Sequence, residues 1–305
     1  MRILAIANPV AGGGRARSGA EALAALLEAR GHQVERFYTR GAGDARRRAA
    51  ELEDAVDRIV AVGGDGTLNE IVNGLADPSR TPLTQMPFGT ANILAREMGI
   101  PFSAEAVADV VERGATRRLD LGTIGQQRFL LLVSSGFDAE VTRVIRATRK
   151  GTLGFLGYVV PILRAAARYR PPRLRVRLDG GEPLPAALVL ASNVRNYGGL
   201  FTIADRARCD SGQLDVCLFE RATRLDIARI GIAGRSGRVS QLPGVAYRTA
   251  RRVEIEADEP VPVQVDGDYW GETPVALELE PGVVPILVPP GAGADAAPGR
   301  GGARS

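Results

Sequence analysis

Apolar residues fall in short runs separated by amphipathic segments through the first third of the chain. Ile3–Ala7 has the length of a buried strand, and it breaks at Asn8-Pro9-Val10-Ala11-Gly12-Gly13-Gly14. Ser18 and Glu21 have capping-box spacing, so a helix is expected to open there and to close at Gly31. Val34–Tyr38, Arg58–Val62 and Leu83–Met86 read as further strands. Helices are expected over Asp44–Leu52, from the Gly63–Thr67 turn through Leu75, over Ala91–Met98 and over Ala104–Arg113. This strand–helix rhythm predicts an α/β fold with a doubly wound, mostly parallel sheet.

The rhythm changes after about Leu121. Arg173–Leu178, Ala187–Ala191, Leu214–Phe219, Arg252–Ala257, Val261–Asp266, Val275–Leu279 and Val283–Val288 read as strands, several with period-two alternation. Helices interrupt them at Ala139–Thr148, Phe155–Ala167 and Leu225–Gly234. The expected organisation is an α/β nucleotide domain at 1–121, a β-sandwich-like second domain at 122–290, and a disordered tail at 291–305.

Composition narrows the chemistry. The chain has 305 residues, 45% of them hydrophobic and 24% charged, as in an ordinary globular protein. Lys150 is the only lysine and His32 the only histidine. A phosphate loop ending in Gly-Lys-Ser/Thr is therefore absent, and a multi-histidine metal site is excluded. Cys209 and Cys217 read as small buried hydrophobes and make no zinc site. No signal peptide is expected from Met1–Asn8, and the Leu153–Leu163 run reads as too short and too interrupted to span a bilayer. The expected location is cytoplasmic, with peripheral contact at the inner face of the membrane as an extension.

Gly63-Gly64-Asp65-Gly66-Thr67 lies between an apolar strand and a helix. Glycines let backbone approach phosphates, and a helix N-terminus supplies N–H groups and a positive dipole end. Asp65 beside phosphates is explained by a Mg²⁺ ion. The structural alternative is a tight turn with Thr67 as the helix cap. Asn8–Gly14 and Pro87-Phe88-Gly89-Thr90-Ala91-Asn92 also follow strands, so three Gly-containing loops converge on one sheet edge. With lysine scarce, Arg15 and Arg17 are the cation candidates.

These motifs resemble the soluble diacylglycerol kinase family, which includes bacterial lipid kinases and the related sphingosine and ceramide kinases. The resemblance rests on Gly63-Gly64-Asp65-Gly66-Thr67-Leu68-Asn69-Glu70 with Asn73-Gly74, and on Gly89-Thr90-Ala91-Asn92 with Leu94-Ala95-Arg96. It continues through Tyr197-Gly198-Gly199, Asp210–Asp215 and Val265-Asp266-Gly267-Asp268-Tyr269. It implies ATP on Asn8, Pro9, Gly12, Thr39, Gly64, Gly66, Thr67, Asn69, Glu70, Gly89, Thr90 and Asn92. Asp65 would be catalytic and a Mg²⁺ ligand. The resemblance puts a general base at Asp268, where many members carry the longer Glu. Asp266-Gly267 is at the same time a hairpin-turn signature. A structural metal loop is implied at Asp210, although Ser211 replaces one expected ligand. Asp205 stands where the family has Pro.

From Arg143 to Leu178 there are ten basic residues and no Asp or Glu. Arg143, Arg146 and Arg149 recur at near-helical spacing, and Arg173, Arg175 and Arg177 share one strand face. Lys150, Arg164, Arg168 and Arg170 complete the set, with Phe155, Leu156, Tyr158 and Val159 beside them. A lipid substrate met at a membrane surface is the expected partner, with no nucleic acid and with a homodimer left open.

The expected function is an ATP- and Mg²⁺-dependent lipid kinase, with a diacylglycerol-type acceptor. The alternatives are an NAD kinase-like phosphotransferase and a non-catalytic nucleotide or lipid sensor on the same fold.

Overall fold

The computed structural model describes residues 1–52, 56–148 and 159–291. The apolar run Arg2–Ala7 forms β1, followed by a short 3-10 turn at Ala11–Gly14 and α1, Arg15–Ala29. Then come β2 (Gln33–Tyr38), α2 (Asp44–Ala50), β3 (Arg58–Gly63), α3 (Asp65–Gly74), β4 (Leu83–Pro87), α4 (Ile93–Glu97) and α5 (Ala104–Arg113). The strands β1–β4 are parallel in the order β2-β1-β3-β4. The side chains of β1, β3 and β4 are buried on both faces, while the edge strand β2 is partly exposed. Ile3, Ala5, Val60 and Val62 pack against Leu23 and Leu27 of α1 and Val107 and Val111 of α5. Leu4, Ile6, Ile59 and Ala61 share a core with Ala45 of α2 and Leu68 and Ile71 of α3. The strand order reverses between β1 and β3, which places the loops after those two strands at a topological switch point.

The chain continues with β5 (Ala115–Ile124), β6 (Gln127–Phe129), β7 (Leu132–Ser135), α6 (Phe137–Thr148) and α7 (Val159–Arg168). Next are β8 (Leu174–Leu178), β9 (Leu184–Ala186), β10 (Leu188–Ser192), the short pair β11 (Asn196–Tyr197) and β12 (Phe201–Thr202), and β13 (Leu214–Phe219). α8 (Arg224–Arg235), β14 (Val245–Ala250), β15 (Arg252–Ala257), β16 (Pro262–Val265), β17 (Asp268–Glu272) and β18 (Val275–Val288) complete it. β14-β13-β10-β7-β16-β17 form an antiparallel sheet. Its inner residues Val133, Val189, Val216 and Val263 face Phe129, Val176, Ile255 and Leu277, and this is the sandwich core. The second layer belongs to the larger sheet: β18 lies along β5 and β15 and meets β4 at Ile286↔Leu83.

Several elements differ from expectation. The capping box is not used: α1 starts at Arg15 behind left-handed Gly14, and Ser18 lies inside the helix with its hydroxyl donating to the Arg15 carbonyl. Glu21 instead accepts from the Tyr38 hydroxyl. Ala91–Met98 contracts to Ile93–Glu97, because buried Asn92 adopts φ +47° and cannot continue a helix backwards. Val275–Leu279 and Val283–Val288 are one strand with a register shift between Glu280 and Val284. The strands β5, β6, β7, β14 and β17 carried no clear expectation. In β5, Arg117 and Arg118 interrupt the apolar pattern, and only pairing to β18 decides its state. The expected Phe155–Ala167 helix is met by α7 from Val159 on; its first four residues, and the expected tail after Gly291, lie outside the described residues.

Candidate active site

Two of the predicted loops touch backbone to backbone. A Cβ on Gly89 would lie 2.5 Å from Gly64 Cα, and one on Gly64 would lie 3.0 Å from Gly89 Cα. No side chain fits between them. The Asn92 side chain closes the second loop, accepting from Gly89 N–H and donating to the Gly89 carbonyl, each at 2.8 Å. The first loop is tied to the same edge: Asn8 N–H donates to the Val62 carbonyl at 2.9 Å. Gly12, Gly13 and Gly14 all have positive φ, and a Cβ on Gly12 would press on Phe88 at 3.2 Å. Pro9 lies between Asn8 and the glycines; Gly66 and Thr90 are exposed at the rim. Thr39 extends the β1–β2 ladder by donating its N–H to the Ala7 carbonyl at 2.9 Å.

Asp65 opens α3, and its carboxylate accepts from Ile93 N–H (2.9 Å) and Leu94 N–H (3.2 Å). It therefore links the turn after β3 to the start of α4. Burial pushes its carboxyl above the ordinary value, against those two hydrogen bonds. Thr67 is not the cap of α3. Gly64 holds that position without a side-chain bond, and buried Thr67 packs where a Cβ on Gly63 would meet its hydroxyl at 2.4 Å. Glu70 points away from the cradle: its oxygens accept from Gly43 N–H (2.9 Å) and Ala45 N–H (3.2 Å) at the start of α2. Arg15 donates to the Gly12 carbonyl at 2.9 Å, and Arg17 stacks over Tyr38 at 4.7 Å.

The β16–β17 hairpin packs against α3 at Asn69. Asp266 and Gly267 have φ +49° and +91°, the two-residue turn expected of Asp-Gly. Asp266 is the buried anchor. Its Oδ2 accepts from Asn69 Nδ2 (2.7 Å) and Leu130 N–H (2.9 Å), and its Oδ1 from Leu131 and Leu132 N–H (both 2.9 Å). Burial nevertheless pushes the carboxyl up to about 6, and the charge of Asp65 adds to the rise. Asn69 thus faces the hairpin, and Asn73 and Arg128 extend the seam: Arg128 N–H donates to Asn73 Oδ1 at 2.8 Å. Asp268 sits two residues beyond the anchor, exposed. Asp266 was not named as a site residue because the Asp-Gly signal explains it as a turn; its place two residues before Asp268 in the Val265-Asp266-Gly267-Asp268-Tyr269 segment was the available clue.

At the expected metal loop the acidic side chain is met by arginines. Asp210 accepts from Arg117 (2.6 Å and 3.0 Å) and from Arg208 (3.2 Å). Burial opposes its ionisation, but the two guanidiniums outweigh it and hold its carboxyl below the usual value. Ser211 Oγ donates to the Gln213 carbonyl at 2.9 Å. Buried Asp120 accepts from Gly212 N–H (2.6 Å) and Gly282 N–H (2.9 Å), tying this loop to β18. Among the described residues no three His, Cys, Asp or Glu side chains converge as a metal site. Mg²⁺ takes one or two carboxylates plus phosphate oxygens and water, so Asp65 beside the glycine cradle fits such an ion, while Asp210 is already neutralised.

The basic stretch is less bare than its sequence. Arg143 pairs with Glu140, Arg175 with Asp258 and Arg177 with Glu254. Arg146 stacks over Tyr269 at 5.4 Å. Arg164, Arg170 and Arg173 are exposed. Arg149, Lys150, Phe155, Leu156 and Tyr158 lie outside the described residues. Cys209 and Cys217 are both buried and unbridged. No described helix is long and apolar enough to cross a membrane.

Residues 2–124 match the diacylglycerol kinase catalytic domain model, and residues 131–288 the YegS C-terminal NAD kinase beta sandwich-like domain model. A diacylglycerol kinase of Mycobacterium tuberculosis is 32% identical over 298 residues, covering 94% of this chain and 95% of that one. One of Bacillus subtilis is 31% identical, covering 81% and 83%. The crystal structure of a diacylglycerol kinase from Bacillus anthracis superposes with TM-score 0.76 at 26% identity, covering 95% and 97%. An NAD kinase of Archaeoglobus fulgidus, in complex with ATP, shares the fold alone, with TM-score 0.54 and 16% identity over 96% and 95%.

Proposed function

The chain belongs to the diacylglycerol kinase family, and from that premise we propose that it transfers the γ-phosphoryl group of ATP, with Mg²⁺, to the free hydroxyl of a diacylglycerol at a membrane surface. One observation carries the reading. The glycine cradle and the hairpin bearing Asp268 are joined across the cleft by Asn69 and Asp266, 2.7 Å apart. A nucleotide on one wall and an acceptor on the other are thereby held in one geometry.

Phosphoryl transfer through a loose transition state depends mainly on positioning and charge neutralisation. Bare backbone at Gly64, Gly66, Gly89 and Gly12–Gly14 seats the phosphates. Asp65 would hold Mg²⁺, which when bound supplies charge neutralisation on the phosphate oxygens. Asp268, exposed at the hairpin tip, accepts the proton of the acceptor hydroxyl. Glu70 acts by capping α2, and so sets the pose of α3 instead of touching ATP.

Peripheral docking is supported by the outer faces of α7 and α8. Ile162 and Leu163 are exposed on one, Leu225 and Ile232 on the other. Arg164, Arg224, Arg229 and Arg235 lie among them, and each such charge near an anionic surface is worth about 1 kcal/mol.

The test is transfer from γ-labelled ATP into mixed micelles containing diacylglycerol, sphingosine, ceramide or monoacylglycerol, with NAD in a lipid-free arm. Labelled phosphatidic acid is the expected product. Label in NAD would overturn the lipid reading, and ATP binding without any product would favour a sensor.

A further inference from the structure

A buried polar cluster lies behind the hairpin, outside the residues assigned so far. Asp138, in the first turn of α6, gathers three donors on Oδ2: the Ser134 hydroxyl, the Tyr197 hydroxyl at 3.0 Å and Gln264 Nε2 at 3.4 Å. Ser134 and Gln264 are wholly buried, and Gln264 Nε2 also donates to Ser134 Oγ at 2.8 Å. The other end of Gln264 matters most. Its Oε1 accepts from Gly267 N–H at 2.8 Å, and Gly267 is the residue immediately before Asp268. The cluster therefore fixes the hairpin turn from behind.

It also reaches the nucleotide side. Tyr197 begins the Tyr197-Gly198-Gly199 segment, whose Gly199 packs on Ala91: a Cβ there would lie 3.2 Å from Ala91 Cα. Ala91 stands between Thr90 and Asn92 in the loop after β4. One carboxylate thus binds a segment lying on the nucleotide loop and, through Gln264, the turn bearing the candidate base. Burial without a cationic partner is costly for a carboxylate; a residue kept only for packing would be better apolar. The carboxyl is raised by that burial, and the hydroxyl and amide donors offset part of the cost.

We infer that Asp138 is a positioning residue for phosphoryl transfer, acting through Gln264 and Gly267 on Asp268. The inference rests on the reading of Asp268 as the base. Gln264 is wholly buried behind the turn, so the cluster acts on the pose of Asp268. Misplacing a reacting group by about 1 Å can cost roughly 100-fold in rate.

The experiment is a double-mutant cycle on kcat, with dioleoylglycerol in mixed micelles and saturating Mg²⁺-ATP. The variants are Asp138→Asn, Asp268→Ala and the pair, each with a thermal melt. Asp138→Asn is expected to lower kcat roughly 10- to 100-fold with KM for ATP within twofold. In the Asp268→Ala background it should cause no further loss, while still lowering Tm by the same amount as in wild type. A merely structural role would lower Tm and leave kcat of the folded enzyme near wild type. Losses that multiply in the pair, or kcat unchanged by Asp138→Asn, would overturn the inference and leave the base reading standing. Wild-type kcat in Asp268→Ala alone would remove the base reading and the inference with it. If Asp138→Asn does not fold, Gln264→Met breaks the same link one step later and must show the same non-additivity.

Discussion

Asn69 Nδ2 donates to Asp266 Oδ2 at 2.7 Å, and this bond joins the helix that starts at the phosphate cradle to the turn that carries Asp268. Asn69 is the fourth residue after the Asp65 that opens α3, so it looks across the cleft one helical turn away. Removing it deprives a buried carboxylate of one of four donors. Asn69→Ala is expected to cost about 1–3 kcal/mol in urea unfolding. It should also reduce kcat more than it raises KM for ATP, because it loosens the relation between the two walls. Equal effects on stability and none on kcat would show that the bond serves folding alone.

Asp266 gives a pH signature. Its folded-state carboxyl lies at about 6, above its ordinary 3.8. A raised carboxyl favours the folded protein below about pH 4, and that contribution is lost as pH rises through about 6. The size is about 3 kcal/mol. In Asp266→Asn no proton can be taken up there. The stability difference, wild type minus variant, should therefore shrink between pH 4 and pH 6, measured by urea melts at constant ionic strength. A flat difference over that interval would contradict the assignment.

The Gly64–Gly89 contact has no room for a methyl group. Gly89→Ala puts a Cβ 2.5 Å from Gly64 Cα and 2.8 Å from Asn92 Oδ1. The loops must separate, so KM for ATP should rise at least about tenfold, a change of about 1.4 kcal/mol. Gly13→Ala meets nothing within 4 Å and is strained only by its φ of +69°. It should cost stability, about 1 kcal/mol, with a smaller effect on ATP. Reversal of that ranking in ATP titrations would discount the contact.

Chelation separates the two carboxylate centres. EDTA should abolish phosphoryl transfer, since Asp65 needs its ion with the nucleotide. It should leave the melt of nucleotide-free protein unchanged, because Arg117 and Arg208 already neutralise Asp210. Arg117→Ala, in contrast, should lower stability by about 1–3 kcal/mol by leaving Asp210 partly buried without its main partner. A Tm lowered by EDTA would point to a metal in the Asp210 loop.

The α/β first half was legible because its signals are local. A buried parallel strand is a short apolar run, and glycine-rich turns after β1, β3 and β4 are visible as such. Leu214–Phe219, Arg252–Ala257 and Ala104–Arg113 match their elements end to end. β5 and β17 were not legible. Each carries charged residues along it; β5 pairs with β18 from more than 150 residues further along the chain, beyond any local pattern, and β17 is an edge strand held only by its hairpin neighbour β16. Ser18 and Glu21 show the converse: a good local signal lost to Gly14, which starts the helix one turn earlier.

By itself the sequence determined the strand–helix order of the first third, the glycine loops, and the lack of a Gly-Lys-Ser/Thr phosphate loop or a multi-histidine site, since these are properties of residue type and spacing. Only the tertiary structure decided the roles of the carboxylates. Asp65 bonds the start of α4, Glu70 caps α2, Asp210 pairs with arginines, and Asp266 is buried under four donors. The reason is physical: an acidic side chain is the same in every motif, and its function is set by desolvation and by the donors that distant segments bring within about 3 Å.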